Sequence, residues 1–136
     1  MTQRPPLIIN RLDAERLQRL IDEAAGDREV AEALEAELLR GEVYDPQEMP
    51  EDVVSMNSQV LFTDLARQGR IIRTLVYPYS LPEIEDGLSV MAPVGAALLG
   101  LRVGDVIDWP LPGGGSARLR IEAVLWQPER AGQFHR

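Results

Sequence analysis

Cysteine is absent from the 136-residue chain. That excludes disulfides, thiolate metal sites and a cysteine nucleophile, and it fits a reducing cytoplasm. Lysine is absent as well, since all 14 cations are arginine. The glycine run 113–115 therefore lacks the lysine that a Walker-type phosphate loop requires and reads as a hairpin turn. The single histidine, His135, stands next to the last residue. It has no nearby Ser or Cys nucleophile in sequence, and one histidine does not make a zinc site. No apolar run approaches the roughly 18 residues of a membrane span. The start, MTQRPPLIIN, turns polar too early for a secretory signal. Positive charge is also short: a net charge of -8 argues against unaided binding to DNA or RNA, because phosphate neutralisation needs clustered cations.

What is present is ample apolar content, 45% of the residues, enough for a core. The acids are unevenly spread. Residues 1–50 hold six Arg against twelve Asp and Glu, whereas residues 51–136 hold eight against ten. Such an acidic half reads first as a solvated helix surface, and also as a surface suited to a basic channel.

Two amphipathic helices are expected in that half. Asn10 caps the first, with Asp13 three residues on to complement the free amides, and Leu17, Leu20, Ile21 and Ala24 form one stripe. Gly26 ends it, Asp27 caps the second, and Val30, Ala31, Leu34 and Leu38 repeat the stripe up to Gly41. Short helices with one apolar side each pack as an antiparallel hairpin, about 20 Å long at roughly 1.5 Å per residue. Pro46 and Pro50 bracket a polar connector, residues 42–51. The expected division is therefore 1–50, helical hairpin and connector, and 51–136, a second domain. There the period becomes two, with strands expected around residues 60–65 and 71–77, from Ser89, at 106–109 and at 119–126. Pro93 starts a short apolar helix that ends at Gly100, and such a helix must lie against a sheet. The fold class is α+β, a mostly antiparallel sheet with one short helix after a helical hairpin. Phe62, Tyr77, Trp109 and Trp126 read as core. Gly104-Asp105 reads as a turn, which leaves Asp105 and Asp108 without an acid–base role.

The segment LSVMAPVGAALLGLRVGDVIDWPLPGG (88–114), with MPEDVVSMNSQV (49–60) and TLVYP (74–78), resembles the C-terminal domain of the Gre transcript-cleavage factors. The resemblance implies an FKBP-like fold behind a coiled-coil hairpin, although a chain only 5% aromatic argues against prolyl-isomerase activity. It implies RNA polymerase as partner, bound at the rim of its secondary channel. It implies a non-enzymatic regulator, for which no cofactor and no small-molecule substrate are expected, while charge and hydropathy add the expectation of no direct DNA binding and no membrane. The Gre loop that touches the rim corresponds to Met91, Ala92, Pro93 and Val94; Pro93 matches, while Met91 replaces an acid and Ala92 a frequent serine. Met91 suits both an interface and a core. At the hairpin tip the Gre pattern GDxxExAE, which holds a catalytic magnesium ion, stands against GDREVAE here. Asp27, Arg28 and Glu29 are the tip candidates. Asp27 reads first as a helix cap, then as a partner contact, and last as a metal ligand. Two further readings stay open: a weak cleavage factor using Asp27 and Glu29, and an interaction module for another regulator.

Overall fold

The structure, a computed structural model, describes residues 7–23, 28–110 and 114–133. A three-residue strand β1 (Ile8–Asn10) runs into helix α1 (Arg11–Glu23), and helix α2 (Arg28–Arg40) leads to β2 (Glu42–Tyr44). Asn10 is the expected cap: its Oδ1 accepts from the amides of Leu12 at 2.8 Å and Asp13 at 3.1 Å. Leu17, Val30, Ala31 and Leu34 are buried as their stripes require, and Leu20, Ile21 and Leu38 pack partly buried beside them. Ala24, Gly26 and Asp27 lie outside the described residues. Gln18 of α1 donates to Glu35 of α2 at 3.2 Å, linking the two helices. Gly41 closes α2 by close approach, since a Cβ there would meet Leu7 at 3.2 Å.

The connector holds more structure than its prolines suggest. β2 pairs in parallel with β1, Ile9 opposite Val43, and residues Pro46–Glu48 form a 3-10 turn. Five further strands make the main sheet: β3 (Gln59–Asp64), β4 (Gly69–Val76), β5 (Gly87–Ser89), β6 (Val106–Pro110) and β7 (Ser116–Trp126). Their order is β5-β4-β3-β7-β6. All neighbours are antiparallel except β4 and β5, which run parallel. β5 thus ends at Ser89, where a strand was expected to begin; its backbone partners lie on β4, and Pro78–Glu83 is a 3-10 turn. Helix α3 (Pro93–Leu98) starts at the expected proline, and Gly100 ends the segment at φ +78°, a left-handed conformation that disfavours other residues. Gly104 at φ +94° makes the expected turn, with Asp105 accepting from the amide of Arg102 at 2.8 Å.

One apolar cluster joins these parts. It contains Leu17, Val30 and Leu34 from the helices, Phe62, Leu75, Tyr77, Leu119 and Ile121 from the sheet region, and Ala96 to Leu99 from α3 and its end. Phe62 and Tyr77 are core, whereas Trp126 is only half-buried, and the side chain of Trp109 lies outside what is described. Among the described residues, no helix is long and apolar enough to cross a membrane.

Candidate functional site

The loop from Ser89 to Val94 is shaped by backbone geometry. Parallel pairing carries β5 alongside β4 as far as Ser89 opposite Val76, and the amide of Val90 donates to Val76 O at 2.9 Å. Asp86 fixes this register: it accepts from Gln59 at 3.0 Å and from Thr74 at 2.9 Å. These bonds, that of Gln59 foremost, hold its carboxyl below the ordinary value. Ser89 then folds the chain back, its Oγ accepting from the amide of Met91 at 3.0 Å and its carbonyl from Ala92 at 3.0 Å. Ala92 is extended, at φ -77° and ψ 148°, as a residue before proline must be. Pro93 opens α3, and the Ala96 amide closes the first turn onto Ala92 O at 2.9 Å. Gly95 lets this turn lie on the strand end, because a Cβ there would fall 1.9 Å from Ser89 O.

Met91, Ala92 and Val94 are half-buried, between the two readings open for Met91, while Val90 is fully inside. Val94 also lines a mainly apolar groove with Phe62, Ile71, Leu88 and Leu119, to which Asp64 and Arg73 contribute as well. The loop therefore offers apolar surface on a hydrogen-bonded base.

The tip candidates are not brought to this loop by any contact that the structure describes. Asp27 lies outside the described residues; Arg28 begins α2 and is exposed, and Glu29 follows it in the first turn. Between the helices, Asp22, Glu32 and Glu35 share a cleft with Arg28, Ile21 and Ala31. Among the described residues, no group of three or more His, Cys, Asp or Glu is placed to hold a metal ion.

Residues 49–125, which contain the loop, match the sequence family described as "Transcription elongation factor, GreA/GreB, C-term". Residues 5–43 match that described as "Rnk N-terminus". The chain belongs to the GreA/GreB-related family. Within it, the chain is 52% identical over 132 residues to the Regulator of nucleoside diphosphate kinase of Escherichia coli, covering 96% of this chain and 97% of that protein. The Transcription elongation factor GreA of Clostridium acetobutylicum is 35% identical over 97 residues, 68% of this chain and 61% of GreA. Among solved structures, a prokaryotic transcription elongation factor GreA/GreB from Nitrosomonas europaea superposes with a TM-score of 0.71 at 46% identity. That match covers 90% of this chain and all of the other.

A second constellation escaped the sequence reading of this GreA/GreB relative. Asp13 stands in the first turn of α1 as expected, but it is 2% exposed, and its carboxylate also reaches the sheet domain. There it accepts from the amide of Met56 at 3.0 Å and lies 3.4 Å from the hydroxyl of Tyr77. Glu129, also buried, accepts from Asn10 Nδ2 at 2.7 Å and from Ser55 Oγ at 2.7 Å, and Ser55 and Ser58 hydroxyls meet at 2.9 Å. Gln127 donates to the carbonyls of Pro50 at 2.8 Å and Val53 at 2.9 Å. These side chains tie the root of the hairpin, the 53–58 loop and the C-terminal segment together. Burial pushes the Asp13 carboxyl up to about 7, with nearby Glu129 adding to the effect and the Met56 amide and Arg16 opposing it. Burial and the charge of Asp13 push the Tyr77 hydroxyl upward as well.

Proposed function

We propose that this chain is a non-enzymatic cytoplasmic regulator of transcription that docks on RNA polymerase at the rim of the secondary channel. The two parts meet in the connector 42–51. Residues 51–136, an FKBP-like domain in this reading, carry the affinity through Met91, Ala92, Pro93 and Val94. Residues 1–50 form a short coiled-coil hairpin that occupies the channel mouth. There it competes with Gre-type factors without stimulating transcript cleavage, and its effect extends to nucleoside diphosphate kinase levels, as the name of the 52% identical relative indicates. No small molecule, cofactor or direct DNA contact enters this reading.

The observation that carries it is length. Each helix of the hairpin has 13 residues, about 20 Å at ~1.5 Å per residue, so acids at its tip stop short of a deeply placed active centre. The loop, by contrast, lies within the segment that matches the elongation factors. The reading is tested on backtracked elongation complexes. The protein alone leaves transcripts uncut, and an excess of it suppresses cleavage stimulated by a Gre factor. Cleavage by the protein itself, abolished in Asp27→Ala/Glu29→Ala, would establish the cleavage-factor reading instead.

A further inference from the structure

We propose that Met91 is a peroxide-sensitive modification site. Its thioether is oxidised to the sulfoxide ahead of Met49 and Met56, and the added oxygen spoils the apolar docking surface of the 89–94 loop. The loss of docking rests on the function proposed above; the selectivity of oxidation does not.

With no cysteine in the chain, all of its sulfur is carried by four methionines. Met1 lies outside the described residues. Met49 and Met56 are 7% and 1% exposed, each inside an apolar cluster. Met91 is the half-buried one of the three described, packed like Val94 against the main cluster without being covered by it. Methionine oxidation turns a flexible apolar side chain into a polar one, and access of the oxidant sets its rate. Hydrogen peroxide is little larger than water, so it reaches a half-open thioether directly, whereas Met56 must wait for the core to open. The chemistry balances with peroxide as oxidant. A sulfur lone pair attacks one peroxide oxygen, the S–O bond forms as the O–O bond breaks, and the departing hydroxide takes the remaining proton to leave as water. Sulfur thus loses the electron pair that peroxide gains. The new oxygen is a strong acceptor in a loop whose nearest donors are engaged. The Val90 amide donates to Val76 O at 2.9 Å, the Met91 amide to Ser89 Oγ at 3.0 Å and the Ala92 amide to Ser89 O at 3.0 Å; Pro93 has no amide hydrogen. In the free protein water satisfies the sulfoxide. Under an apolar partner surface water is lost, and a buried acceptor without a donor weakens binding. Methionine sulfoxide reductases reverse the step, so the site acts as a switch rather than as damage.

The test treats the full chain with hydrogen peroxide over a time course. Each sample is mapped by peptide mass spectrometry and titrated against core RNA polymerase. Met91 should oxidise roughly tenfold faster than Met49 and Met56, whose reaction waits on opening of the core. Affinity should fall about tenfold or more in step with Met91 oxidation, and sulfoxide reductases acting on both epimers should restore it. In a Met91→Leu chain the affinity measured before peroxide should be found again after the same dose. Oxidation of Met49 or Met56 as fast as Met91, full affinity with Met91 oxidised, or an equal loss in Met91→Leu would overturn the proposal. So would a loss of binding that comes with unfolding, read by circular dichroism. Untreated protein that does not bind polymerase overturns the docking reading and the switch built on it, and the peptide map still decides the selectivity of oxidation by itself.

Discussion

The root of the hairpin and the 89–94 loop handle polarity in opposite ways. At the root, Asn10, Asp13, Ser55, Ser58 and Glu129 are buried; Glu129 accepts from Asn10 and Ser55, and Asp13 from the Met56 amide, across three stretches of chain. In the loop, Ser89 and the backbone complete the hydrogen bonds locally, and the side chains of Met91 and Val94 are left half-open. Buried polar groups are therefore gathered at the root, and half-open apolar surface at the loop. An unpaired buried charge is costly whereas a half-open Met costs little, so the root should govern stability and the loop should govern binding.

Substitutions can break that division, and the largest effect is expected in the apolar cluster that holds the hairpin on the sheet. Leu34 is fully buried in the shared cluster, so Leu34→Ala should lower unfolding free energy by about 2–5 kcal/mol, measured by urea denaturation. Next, Glu129→Ala leaves Asn10 and Ser55 without their buried acceptor; a loss of roughly 1–3 kcal/mol is expected by the same titration. At the loop the pattern should invert. Met91→Arg should weaken polymerase binding tenfold or more, about 1.4 kcal/mol, in a fluorescence binding assay, while moving stability by no more than about 0.5 kcal/mol. Equal losses of stability at both places would end the distinction. The smallest effect is expected at Arg102→Ala, which removes an exposed pair with Asp52 at 3.2 Å and should cost about 0–1 kcal/mol by thermal unfolding.

The two regions also differ in how far the sequence reveals them. The loop was legible because proline, glycine and strand alternation are local signals: Pro93 does open a helix, and Gly100 and Gly104 do adopt positive φ. The helix stripes were legible for the same reason. The parallel approach of β5 was not, since no local pattern tells a strand which neighbour it will take. The hairpin root was less legible still. Asp13 fits a capping-box position, and only its place four residues before Leu17, on the apolar stripe, hints that it turns inward. Glu129 and Ser55 meet across 74 positions of chain, beyond any periodicity. The short strand in the connector arises from pairing with β1, which is likewise non-local.

The central claim is tested most directly by binding labelled protein to core RNA polymerase in the presence of increasing amounts of a Gre factor. The account predicts saturable binding that the Gre factor displaces completely, with Met91→Arg failing to bind. Absence of binding at micromolar concentrations, or simultaneous occupancy by both proteins, would contradict it.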